Sequence, residues 1–97
     1  MDVIHELLAT TAAAEKLGAR AILIEEAQQL LDNRYVIVRN PGRRGRRGQR
    51  PARRLVIGRT DGGRALTLVV ERTHEPTTWL IVTGWEATAR ERKILGG

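Results

Sequence analysis

The residues best equipped for chemistry in this sequence are its arginines. Fifteen of the 97 residues are Arg, against two Lys, and they are clustered. Between Gly42 and Arg54, seven of thirteen positions are Arg (Arg43, Arg44, Arg46, Arg47, Arg50, Arg53 and Arg54) and none is acidic. A guanidinium stays charged at neutral pH, grips phosphate through two parallel hydrogen bonds and stacks on flat rings, so the pattern points to a polyanion. An acidic protein partner and a merely soluble insertion are the alternatives. Residues 1–33 carry net −4, residues 34–64 net +10 and residues 65–97 none, so the positive field belongs to the middle third. A segment this charged repels itself and cannot pack, which predicts an extended loop over 41–53.

The elements that must position this loop follow from apolar spacing. Residues 2–17 are rich in Ala, Leu and Glu with Val3/Leu7 and Ile4/Leu8 four apart, which predicts a first helix stopping near Gly18. Leu23, Ala27, Leu30 and Leu31 form a one-sided stripe that predicts a second helix over 19–32, with Asn33 as its stop. Strands are predicted at 35–38, 55–57, 66–70 and 79–82, where β-branched and aromatic residues take over. Asp61-Gly62 between two apolar runs signals a hairpin, and the turn-rich 73–77 extends it to a three-stranded meander. Thr88 and Glu91 have capping-box spacing for a short last helix. The reading is one α+β domain over 1–97: two N-terminal helices, a four-stranded mainly antiparallel sheet joined by the Arg loop, and a short C-terminal helix. Residues 65–70 and 80–82 are apolar on both alternating faces, and the short last helix only partly covers the sheet face opposite the first two helices, which leaves an apolar patch suited to a partner or a second copy.

The composition also excludes function classes. With no Cys and two isolated His there is no disulfide framework and no four-ligand metal cage, so neither a metal nor another cofactor is expected. No apolar run approaches the ~18 residues of a membrane span, and the start MDVIHELL lacks a basic signal region, so the expected location is the cytoplasm.

The run Arg54-Leu55-Val56-Ile57-Gly58-Arg59-Thr60-Asp61-Gly62-Gly63-Arg64-Ala65-Leu66-Thr67-Leu68-Val69-Val70-Glu71-Arg72, followed by Val82-Thr83-Gly84-Trp85-Glu86-Ala87-Thr88-Ala89-Arg90-Glu91-Arg92, resembles the BrnT family of bacterial toxins. Glu15-Lys16-Leu17-Gly18 and Ile24-Glu25-Glu26-Ala27 are similar to that family's N-terminal part. Two positions depart: Leu17 stands where the family has His, and Trp85 where it has Arg. Both lose a polar group that could touch RNA, so a degenerate toxin that only binds its antitoxin and a non-catalytic basic RNA- or DNA-binding module are the alternative readings. The resemblance implies a RelE-like fold and a growth-arresting ribonuclease acting on free or ribosome-bound RNA. It also implies a cognate antitoxin that neutralises the toxin and through which alone operator DNA is bound.

Metal-free RNA cleavage uses the neighbouring 2′-OH as nucleophile, so the protein must hold the phosphodiester, neutralise its developing charge and supply a base. Arg72 and Arg92 match the family pattern and are candidates to hold the phosphate near Trp85; a strand end and a helix surface are the plain alternatives. The base would come from His5, His74, Glu71, Glu86, Glu91 or Lys93. An imidazole suits proton transfer, so His74 is a catalytic candidate, although its place in a turn beside Glu75 and Pro76 makes a plain exposed turn residue the favoured alternative. Glu91 is already used by the capping box. His5 reads as a surface or interface residue. Arg53, Arg54 and Arg59 join the loop arginines as RNA contacts, while Arg59 and Arg64 flank the turn and serve solubility equally well. Trp85 would stack a base, or else pack with Trp79, six residues earlier on the same predicted strand face.

Overall fold

The computed structural model describes residues 3–39 and 53–96. It is an α+β domain, but the sheet has five strands and is mixed, which corrects the four-stranded, mainly antiparallel arrangement expected from the sequence. The order of elements is β1 (Glu6–Ala9), α1 (Thr11–Gly18), α2 (Ile24–Gln29) with a 3₁₀ turn at Leu30–Asp32, β2 (Tyr35–Arg39), β3 (Arg53–Arg59), β4 (Ala65–Arg72), β5 (Thr78–Glu86) and α3 (Ala89–Leu95). Strands lie in the order β1-β5-β4-β3-β2, with β1 parallel to β5 and every other pair antiparallel.

The extra strand comes from the segment expected to open the first helix. Thr10 sits in extended conformation and its hydroxyl accepts the Ala13 N–H at 3.0 Å, so the helix starts at Thr11 and cannot reach back into 6–9. Those four residues take the two-residue period instead: Leu7 is buried and Leu8 exposed, with Leu7 paired to Trp79. The amide of Gln28 donates to the Leu7 carbonyl at 3.0 Å and so occupies a group on the open edge of β1. The second helix is also shorter than the expected 19–32, because Ala21 adopts a left-handed φ of 58° and breaks the chain between α1 and α2, which starts at Ile24.

The main core lies between the sheet and α1 and α2, built from Leu7, Leu17, Ile22, Ala27, Leu30, Val56, Leu66, Leu68, Val70, Trp79 and Ile81. Two strand glycines let the helical layer approach. A Cβ at Gly84 would meet Leu68 Cδ2 at 2.8 Å and Leu17 Cδ2 at 3.0 Å, and one at Gly58 would meet Leu30 Cγ at 2.9 Å. The opposite sheet face carries a smaller cluster of Ile57, Ala65, Ala87 and Leu95 beneath α3. The Asp61-Gly62 link does join antiparallel neighbours, with Thr60 N–H bonded to the Arg64 carbonyl and Gly63 at φ 87°. Thr88 and Glu91 form the capping box of α3, and Gly96 at φ 93° ends it.

Candidate nucleic-acid interface

Arg43, Arg44, Arg46, Arg47 and Arg50 lie outside the described residues, but the strands on either side of that segment are ordered by the sheet. β2 ends at Arg39 and β3 begins at Arg53, so both loop ends leave from the same end of the sheet. Register places Arg39 directly opposite Arg54, and Arg54 opposite Val70. Because side chains alternate, Arg39, Arg54 and Arg72 share the helix-side face with Val56, Val70 and Trp79. Neighbouring strands are about 4.8 Å apart, so three strands contribute a row of cations at one sheet end. Arg39 and Arg72 are exposed and Arg54 is half-buried. The Arg72 guanidinium stands 5.1 Å above the Trp79 ring, a cation–π distance, and the buried Trp79 donates its indole N–H to the Val3 carbonyl at 3.2 Å. Arg54 Nη1 donates to the Arg53 carbonyl at 2.9 Å. Arg53 itself points to the other face and pairs with Glu71 at 2.7 Å through both Nε and Nη2.

Trp85 lies on the α3 side, not on the face of Trp79. Val70 pairs with Ile81 but Val69 pairs with Thr83, so a bulge inserts one extra residue into β5 and reverses the alternation between the two tryptophans. Half-buried Trp85 donates its indole N–H to Glu91 at 3.1 Å. The same carboxylate accepts the hydroxyl of buried Thr67 at 2.8 Å and the Thr88 N–H at 2.9 Å. Burial works against the charge on Glu91, yet the Thr88 backbone, Thr67, Trp85 and Thr88 side-chain hydrogen bonds together outweigh it and hold the carboxyl below its ordinary value. A carboxylate so engaged is a structural anchor and a poor proton acceptor.

The structure does not bring the proposed phosphate-holding pair together. Arg72 is on the helix-side face, five residues along β4 from the Thr67–Trp85 pair, about 17 Å of strand. Arg92 is on α3 across the sheet, where its Nη1 donates to the Ala87 carbonyl at 2.9 Å. There it shares an open cavity with Arg59 and Lys93. His74 is exposed in the β4–β5 turn, and exposed His5 precedes β1 with its backbone N–H on the Thr77 carbonyl at 2.8 Å, so both belong to the Arg72 end and not to Arg92. Glu71 and Glu86 are paired with Arg53 and Arg64. No group of three or more His, Asp or Glu among the described residues is placed to hold a metal.

Two arginines take parts the sequence reading did not give them. Arg39 completes the row; its signal was the symmetric register of two strands flanking one loop. Arg64 is a clasp, with Nη1 on the Ala21 carbonyl at 2.8 Å and on Glu26 at 3.1 Å, and Nε on Glu86 at 3.2 Å. Comparison with protein-family models, curated proteins and solved structures finds no match to this chain. No helix among the described residues is long and apolar enough to cross a membrane.

Proposed function

We propose that this domain binds RNA through its arginines, with Arg39, Arg54 and Arg72 as the part of the surface fixed by the sheet. The observation that carries the reading is the register that sets Arg39 opposite Arg54 and Arg72 on the next strand of the same face. A phosphate backbone laid across the three strands meets a guanidinium on each of them. The Arg-rich segment leaves from this same end and adds sequence-independent charge. RNA is the polymer to which the BrnT resemblance points. In titrations of a single-stranded RNA at several salt concentrations, Arg39→Gln with Arg54→Gln and Arg72→Gln should weaken binding and lower the slope of log K on log salt by about 2, near 0.7 for each lost phosphate contact. An unchanged slope in the folded triple variant would overturn the reading.

The ribonuclease toxin held by an antitoxin is the second reading, favoured by Arg92 of the resembling segment lining a cavity with two further cations. Its test is induction of the protein alone in bacteria: growth arrest relieved by Arg92→Gln supports it, and unimpaired growth removes it.

A further inference from the structure

We propose that the cavity between the end of β3 and α3 binds a phosphomonoester, at a site distinct from the arginine row. The cavity has a volume of about 480 Å³ and, among the described residues, is lined by Arg59, Ala89, Arg92, Lys93 and Gly96, none of them a carboxylate side chain. Clefts for small ligands run from about 300 to 1,000 Å³, so one nucleotide-sized group fits. A fourth cation reaches the same place, since Arg34 Nη2 lies 3.0 Å from where a Cβ on Gly96 would stand.

These four charges come from three separate parts of the fold: the segment before β2, the end of β3, and α3. Attraction to the C-terminal end of the α3 dipole accounts for Arg92 and Lys93, which sit in its last turn, but not for Arg34 and Arg59. Arg92 and Lys93 form no ion pair among the described residues. Two of the guanidinium groups are aimed in advance by backbone carbonyls, Arg92 by Ala87 at 2.9 Å and Arg59 by Gly63 at 2.8 Å. Arg34, Arg92 and Lys93 converge on one place and repel one another, and a dianionic monoester offsets that repulsion better than the single charge of an internal phosphodiester. The site also lies on the opposite sheet face and at the opposite end of β3 from Arg54, so it is not the row extended.

The group can be the terminal phosphate of an RNA or a free nucleotide, and one experiment separates them. Backbone amide spectra of the full chain are titrated with AMP and with adenosine, for the wild type and for Arg92→Gln/Lys93→Gln, both substitutions being on exposed positions. AMP should shift the amides of Arg59 and α3, adenosine should not, and the double variant should bind AMP at least tenfold more weakly. Arg59→Gln, made in a separate element, should weaken AMP in the same way. Tighter binding of a 5′-phosphorylated oligoribonucleotide than of its 5′-hydroxyl twin, lost in the double variant, assigns the site to RNA ends; equal binding of the two beside a normal AMP response assigns it to a free nucleotide. Equal shifts with AMP and adenosine, or AMP binding untouched by the substitutions, overturns the proposal.

Discussion

At the scale of single residues, Glu91 shows how one carboxylate is committed to structure. Its oxygens accept from a buried threonine hydroxyl, an indole and the first free N–H of α3, and these link β4, β5 and the helix at one point. Glu91→Ala removes the cap and leaves Thr67 and Trp85 without their acceptor, so unfolding free energy should fall by about 1–2 kcal/mol, measured by denaturant midpoints. The effect has a defined pH sign. The folded carboxyl titrates below its unfolded value, so its contribution is complete above the ordinary carboxylate range and fades as pH falls through the depressed folded value. Glu91→Gln should therefore differ most from the wild type near neutrality and converge with it in acid; parallel curves across the whole range would show that the charge on Glu91 contributes nothing. Trp85 gains its role from the same contact. Its ring is positioned by a hydrogen bond to α3 on the sheet face opposite Trp79, so the two tryptophans do not pack together.

At the scale of elements, the connection between α1 and α2 carries a conformational cost that something must offset. Ala21 is held at φ 58°, a region costing an alanine roughly 1–2 kcal/mol, and its carbonyl accepts from Arg64. Arg64 also pairs with Glu26 on α2 and Glu86 on β5, tying the helical layer to the hairpin end of the sheet. Arg64→Ala should lower stability by about 1–3 kcal/mol, beyond what an exposed strand-end cation would cost, and amide exchange should quicken first in 19–24. A change within about 0.5 kcal/mol would mean that the clasp is ornamental. The elements that were legible in the sequence are those whose signal is local: the Asp-Gly hairpin, the meander that follows it, and the capping box of α3. Those that were not depend on partners far along the chain. Glu6-Leu7-Leu8-Ala9 has helix-forming residues throughout, and only pairing with β5, about seventy positions later, makes it a strand. The bulge in β5 leaves no residue-type mark, so even spacing put Trp79 and Trp85 on one face. For the same reason Arg72 and Arg92 read as neighbours: motif proximity gives no information on which sheet face each occupies.

At the scale of the whole molecule, charge is separated along the chain and therefore in space. Residues 1–33, which supply β1, α1 and α2, carry net −4, whereas residues 34–64 carry +10 and begin and end their Arg-rich run at one end of the sheet. Under the proposed reading, such a charge distribution orients an approaching polyanion before contact, toward the basic middle third of the chain. The loop arginines act at this scale through their charge, whose influence reaches about one Debye length into solvent. Replacing Arg43, Arg44, Arg46 and Arg47 with Gln should therefore leave the thermal midpoint within a degree or two of the wild type, since surface changes are usually within about 0.5 kcal/mol. RNA association should slow most at low salt, and the slope of log K on log salt should fall by up to about 3, the share of four phosphate contacts on a single strand. The two kinds of arginine can then be told apart: the row variant raises dissociation, because it removes contacts held by the sheet, and the loop variant chiefly lowers association. If the loop variant keeps the wild-type slope and association rate while the row variant loses affinity, the Arg-rich segment is a passive insertion and the sheet alone recognises the polyanion.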